Sequence, residues 1–477
     1  MASSSATTES PAEQTTALKR NSLGVVGVAF FVIAAAAPMA AFVGAAPVVF
    51  SIVGSGAPAV YIIVAAIIAV FAVGYLKMSR HITNAGGFVA YIARGLGARA
   101  ATGSSGIVVV TYLALQIGLV SQFGVFAQQL AASAGLDLPV WVWVMVAIAI
   151  TTFLVIRGVD LNMRVLGVII ALEVVIVAVL IVGILVAFPG QDPSLVSFSP
   201  AVLANPGVGV AGLFVFTCFT TFEATTVFAE EARNPRRTIP IALFVVIGFV
   251  AVYYTLATWA VSYGLGADNV QKAAADNLSG VIFDLASRAV GPWLSLVMQI
   301  LVLTSFLAML IGVQNMFARY CFALGRARVL PQIFARVSPV RRAPHVAALV
   351  DAAVCVIVLA IFFAVGADPI VVIYAWFVAL GTIGFITMMT LASVAILTFF
   401  IRERLENGFW STKFAPMLAL LLNGAVLVIA LSNFDVLLFG DGAIARAMLW
   451  LIPIAFVIGF IIPSFRKDID FKVVAIA

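Results

Sequence analysis

Long apolar runs, rather than alternation, organise this chain. Crossing the hydrocarbon core of a bilayer takes about 20 predominantly apolar residues. Twelve stretches meet that length, with soft edges: 22–50, 57–76, 101–134, 139–156, 164–188, 208–229, 239–264, 292–325, 346–366, 369–400, 414–432 and 446–463. Stretches well over about 25 residues must tilt, break or run past the bilayer. The pattern predicts an all-α integral membrane protein with twelve transmembrane helices. Residues 1–20 are polar and rich in Ser and Thr, which predicts a disordered tail and no cleavable signal peptide. A second short tail follows at 464–477. Two longer connectors stand out, 189–207 and 265–291. The latter mixes charge with apolar positions at helical spacing, which fits either an amphipathic helix on the outer face or a solvated connector.

Composition sharpens this picture. Apolar residues make up 64% of the chain and charged residues 10%, against roughly 25% charged in a soluble domain. A soluble enzyme, a disordered chain and a nucleic-acid binder are excluded. The net charge of +6 therefore bears on loop topology and anionic lipid. With the N-terminus cytoplasmic, 23 of the 26 lysines and arginines fall on the cytoplasmic side, and only Lys272, Arg288 and Arg446 fall outside. The expected placement is a multi-pass protein of the cell membrane with both termini cytoplasmic. Cys218, Cys321 and Cys355 sit in apolar runs, and His81 and His345 are isolated. Neither a disulfide framework nor a metal or cofactor site is expected.

Two stretches read as internally interrupted. The first contains IAAAAPMAAFVGAAP, with Pro38 at membrane depth and Gly44 and Pro47 after it. The sixth contains LFVFTCFTTFEATTVF, where Thr217, Thr220, Thr221, Thr225 and Thr226 crowd around Glu223. Proline removes a backbone donor and clashes with the preceding turn, and threonine hydroxyls can satisfy the carbonyls that a break frees. Broken backbone in a bilayer persists only where it is buried or lines a cavity. Interruptions at matching places in two successive five-helix groups point to an inverted-repeat transporter with a site at the midplane.

Four stretches also carry a family likeness: Pro38-Met39 in the alanine-rich first span, ITNAGGFVAYIARGLG at 82–97, FEATTVFAEEARNPRRTIP at 222–240, and ARYCFALGRARVLP at 318–331. On these, the chain resembles the amino acid–polyamine–organocation (APC) superfamily of permeases over nearly all of 22–463. The resemblance implies a LeuT-like five-plus-five inverted repeat. Its first half would run over 21–188 and its second over 208–400, with two peripheral helices at 414–463. It also implies alternating access, with spans 1, 2, 6 and 7 rocking against 3, 4, 8 and 9. Without the family, Asn234-Pro235 still reads as a helix stop, and Gly86-Gly87 as a tight backbone beside the cytoplasmic mouth.

A broken helix exposes free N–H groups on one half and free carbonyls on the other, suited to a carboxylate and an ammonium respectively. Candidate substrate-binding residues are therefore Ala36, Ala37, Pro38, Met39, Ala40 and Ala41 of span 1, and Thr217, Cys218, Phe219, Thr220 and Thr221 of span 6. Phe219 is a candidate lid, and Gln116 and Ser121 of span 3 are candidate polar contacts. Two acids lie deep in spans, Glu173 and Glu223. A charge at the bilayer centre costs at least about 2.5–3.5 kcal/mol, which makes both functional candidates. Burial disfavours the charged form, so uptake of a proton is feasible. Glu223 fits an acidic position common in the APC superfamily. Glu173 falls where some proton-coupled relatives carry a lysine. It is a candidate proton carrier or, with Thr304, Ser305 and span-1 carbonyls, part of an oxygen cage for Na⁺. Asp351, near the end of span 9, is expected to be solvated.

The reading is a secondary active amino acid transporter, H⁺-coupled, with a small-molecule substrate, a lipid bilayer as surroundings and no nucleic-acid partner. Transport of polyamines or other organic amines, and Na⁺ coupling, are the alternatives. No P-loop, HExxH or GxSxG occurs, which argues against direct ATP drive and against an enzyme.

Overall fold

In the computed structural model, the described residues are 24–82, 86–158, 163–189, 195–200, 205, 207–223, 225, 232–338, 343–403, 408–434, 443–466 and 468–469. The N-terminal tail, Thr226, Glu230, Glu231 and residues from 470 onward lie outside them. Every predicted span carries helix among the described residues, and no strand occurs there. The helices are α1 (Val25–Ala36), α2 (Pro38–Val53), α3 (Ala57–Ser79), α4 (Gly87–Leu96), α5 (Ala98–Ser133), α6 (Val140–Ile156), α7 (Met163–Ala187) and α8 (Gly207–Phe219). They continue with α9 (Pro235–Leu265), α10 (Val270–Asp276), α11 (Val281–Ala289), α12 (Pro292–Arg326), α13 (His345–Ala364), α14 (Ala375–Glu403), α15 (Ala415–Ser432), α16 (Ala443–Met448) and α17 (Leu451–Phe465). Among the described residues nine helices are long and apolar enough to cross a membrane, with Pro38–Ser79 counted as one. Val140–Ile156 and Gly207–Glu223 are apolar but shorter.

The longest helices form the centre. α5 has 36 residues and α12 has 35, so each is roughly 50 Å long at 1.5 Å per residue and outruns a bilayer core. α5 packs against α12, α14 and α17. Small residues set the α5–α17 seam: a Cβ at Gly459 would run into the Thr102 carbonyl, and one at Gly106 into Ala455. That is the close approach that small residues give membrane helices. α17 otherwise stays peripheral, with 11% of its span buried against 72% for α5.

The first span breaks where the sequence predicts. Pro38 has no N–H to donate, and the residue before a proline is driven out of the right-handed helical region. Ala37 accordingly adopts φ 45°, ψ 70°, a left-handed conformation that costs an alanine about 1–2 kcal/mol. Its N–H bonds Ala34 O at 3.0 Å, and Ala41 N restarts the ladder on Ala37 O at 2.9 Å. Pro47 does not interrupt α2. In the sixth span α8 ends at Phe219 and tightens into a 3₁₀ turn over Thr220–Glu223. The threonines bond back as expected: Thr220 Oγ1 donates to Thr217 O at 2.9 Å and Thr225 Oγ1 to Phe222 O at 2.8 Å.

The 265–291 connector forms α10 and α11, and neither is a free amphipathic surface helix. Val270, Ala274, Ile282, Leu285 and Ala286 are buried, and α10 packs on α2. Asp351 corrects the expectation of solvation. It is fully buried in α13 beside Gln314 of α12, and neither carboxyl oxygen has a hydrogen-bond partner among the described residues. Its position in sequence suggested a helix end, but α6 and α12 cover that face of α13.

Candidate functional site

The two breaks meet. A cavity of about 40 Å³ lies between them, walled by Ala36, Ala40, Ala41, Gly44 and Ala45 of the first span and by Thr217, Cys218, Thr220 and Thr221 of the sixth. Leu115, Leu119 and Gln122 of α5, Met309 and Val313 of α12, and Tyr374 and Val378 close it. Of the sequence candidates, Ala37, Pro38, Met39, Gln116 and Phe219 do not line it. Phe219 is buried within the core. Gln116 is buried, and its Oε1 has no partner among the described residues. Ser121 donates to Pro369 O at 2.8 Å, bracing the wide turn before α14.

Behind the first break stands Glu173 of α7. Its Oε2 accepts from Met39 N at 3.1 Å, and Ser305 Oγ accepts from Ala40 N at 3.2 Å. These are orphan N–H groups at the start of α2, where a helix favours negative charge. Ser305 also lies beside the Glu173 carboxyl. Thr304 does not join them: it is half-buried and its hydroxyl donates to Leu301 O of its own helix. Glu173 and Ser305 thus meet backbone donors of the break, not backbone carbonyls.

Glu223, at the end of the sixth-span turn, has a different setting. Its Oε1 accepts from Phe88 N at 3.1 Å, at the start of α4, and its Oε2 from the Tyr112 hydroxyl at 2.7 Å. Phe88 N is shared with the Tyr320 hydroxyl at 3.0 Å. Gly87, at φ 44°, leaves the space: a Cβ there would overlap the Tyr320 hydroxyl and Glu223 Oε1. Phe71, Tyr75, Phe88, Tyr91, Phe222 and Phe385 are all buried and pack edge-to-face or stacked, with the Tyr75 and Tyr91 rings 4.4 Å apart. This shell closes the α4 side. The opposite side is open. A vestibule of about 480 Å³ between Ala275–Ser279 and Asp368–Val371 shares Gly44, Gln122 and Tyr374 with the central cavity.

Sequence reasoning placed both acids but missed Tyr112, Tyr320, Gln122 and Tyr374. One signal was available. Tyrosines favour the membrane interface, so those deep in long apolar helices are candidates for polar contacts; Tyr112 and Tyr320 make them, whereas the hydroxyls of Tyr61, Tyr91 and Tyr253 have no partner among the described residues.

A cavity between two broken helices, with a vestibule on one side and an aromatic shell among the described residues on the other, is the architecture of a membrane transporter. The chain belongs to the amino acid permease family, whose model matches residues 23–462. A stretch of 189 residues is 32% identical to an uncharacterized transporter of Mycobacterium tuberculosis, covering 38% of this chain and 40% of that protein. Another of 161 residues is 29% identical to cationic amino acid transporter 6, chloroplastic, of Arabidopsis thaliana, covering 31% of this chain and 26% of that one. The chain thus matches less than half the length of these relatives. The crystal structure of a mutant manganese transporter from Eremococcus coleocola superposes with a TM-score of 0.58 over 96% of this chain and 98% of that chain, at 13% identity. That likeness is one of fold, LeuT-like and all-helical.

Proposed function

We propose that the protein is a secondary active transporter that moves amino acids across the cytoplasmic membrane by alternating access, driven by H⁺, with both termini cytoplasmic. The observation that carries the coupling is the Glu173 carboxyl on the Met39 N–H at the break. As a carboxylate, Glu173 complements the positive end of α2 and ties α7 to it. A proton removes that charge and weakens the tie, freeing the first-span break to bend. Occupancy by a proton thereby biases one access state over the other, which takes a few kcal/mol of differential binding.

The repeats are taken as 21–188 and 208–400, with 414–463 peripheral. On the topology proposed here the vestibule beside α10 and α11 faces outward, and the aromatic shell around Glu223 is the closed cytoplasmic gate. The substrate site is the cavity between the breaks, with Ala36, Ala40, Ala41, Thr217, Cys218, Thr220 and Thr221 as its candidate wall.

The test is uptake by liposomes holding the purified protein, with pH and Na⁺ gradients imposed separately. Wild type is expected to accumulate a labelled amino acid when the pH gradient is present. Glu173→Gln is expected to lose that accumulation at least about tenfold, because an amide cannot exchange the proton, while substrate exchange persists. Accumulation driven by Na⁺ alone, or undiminished in Glu173→Gln, would overturn the assignment.

A further inference from the structure

We infer that the central cavity selects a small amino acid with an uncharged side chain and rejects lysine, arginine and polyamines. The inference rests on the amino-acid reading above and narrows it. Among the described residues that line the cavity, none is Asp, Glu, Lys, Arg or His. The two nearby acids are engaged elsewhere. Glu173 holds Met39 N behind the break, and Glu223 holds Phe88 N and Tyr112 in the closed gate. Neither lines the cavity. The α-ammonium and α-carboxylate shared by every amino acid offset each other and meet the broken backbone, but a further ammonium or guanidinium leaves water with no counter-charge, and burial of an unpaired charge is strongly unfavourable.

The polar groups present are dipoles. Thr217 and Thr220 spend their hydroxyl protons on carbonyls of their own helix. Thr221 differs: it is 8% exposed, it lines the cavity, and its Oγ1 has no partner among the described residues. With the Gln122 amide it offers uncharged hydrogen bonds to a zwitterion or to a short hydroxylated side chain. Size points the same way. The room for the centres of water-sized spheres is only about 40 Å³, so a short side chain is accommodated more readily than an isobutyl or benzyl one. The vestibule makes the contrast plain. Asp276 and Asp368 line it, so a cation finds carboxylates there that the deeper chamber lacks.

The experiment is competition against labelled alanine uptake by liposomes containing the full chain. Serine and glycine are expected to compete comparably, and lysine, arginine and putrescine to be weaker by about a hundredfold. Leucine and phenylalanine are expected to lie between. Met309→Glu, which puts a carboxylate on the cavity wall, is expected to improve lysine relative to alanine by about tenfold or more. Stabilisation of detergent-purified wild type by alanine but not by lysine reports the same preference without a variant. Lysine matching alanine against wild type would overturn this inference and leave amino acid transport standing. A Met309→Glu protein that folds yet gains nothing for lysine would also overturn it. Binding and uptake of no amino acid at all would remove the underlying function with it.

Discussion

Glu173 and Glu223 are both buried, and each accepts a hydrogen bond from the backbone at the start of a helix: Met39 N of α2 for one, Phe88 N of α4 for the other. Their surroundings differ. Glu173 stands behind a one-residue break, with Ser305 beside it and the cavity wall on the far side of the same backbone. Glu223 lies in an aromatic shell, tied to α5 through Tyr112, while Tyr320 of α12 shares its backbone donor. One interaction, a carboxyl on a helix N-terminus, therefore stands in two settings. At Glu173 the carboxyl meets Met39 N and Ser305, with Tyr253 and Tyr254 nearby, and the helix it holds is already broken. At Glu223 several elements converge, and the group welds a closed face. A coupling site suits the first setting and a gate latch the second.

The largest effect that would sharpen this comparison is expected at Gly87. Gly87→Ala places a Cβ at φ 44° against the Tyr320 hydroxyl and Glu223. The backbone costs about 1–2 kcal/mol, and the overlap adds about 1–3 kcal/mol. A clear fall in melting temperature of the detergent-purified protein is the expected reading. A protein as stable as wild type would show that the latch is slack. Next comes Tyr112→Phe, which removes a buried hydroxyl donor from Glu223 at a cost of about 1.5–3 kcal/mol. It is expected to speed hydrogen exchange in α4 while gradient-driven accumulation stays intact. Loss of coupling in this variant would erase the division between the two glutamates. The smallest effect belongs to Ser305→Ala. It strips one acceptor from Ala40 N, worth about 0.5–1.5 kcal/mol, and should shift the pH dependence of uptake with little change in stability. An unchanged pH profile would place Ser305 outside the coupling assembly.

Sequence and tertiary structure divided the work unevenly. Hydrophobic run length located the long helices, because a lipid solvent demands about 20 apolar residues per crossing whatever they pack against, but it passed over the short helix α4 between two of the stretches. Pro38 announced the first break, since a missing N–H and a clash with the preceding turn are local facts. The threonines around Glu223 announced the second, and their hydroxyls do bond back to their own helix. The two deep acids were visible for the same reason: their cost is set by depth, not by neighbours.

What the sequence left open is who meets whom. That Met39 N finds Glu173, 134 residues away, and Phe88 N finds Glu223, 135 residues away, depends on how helices cross. An apolar face that could pack on several partners carries no record of which one it meets. The same ambiguity hid the burial of Asp351 beneath α12, the turning of the Thr304 hydroxyl onto its own helix, and the place of Gln122 and Tyr374 at the mouth of the cavity. Solvation within the membrane is local and legible from the chain, whereas the pairing of distant groups is decided only when the helices pack.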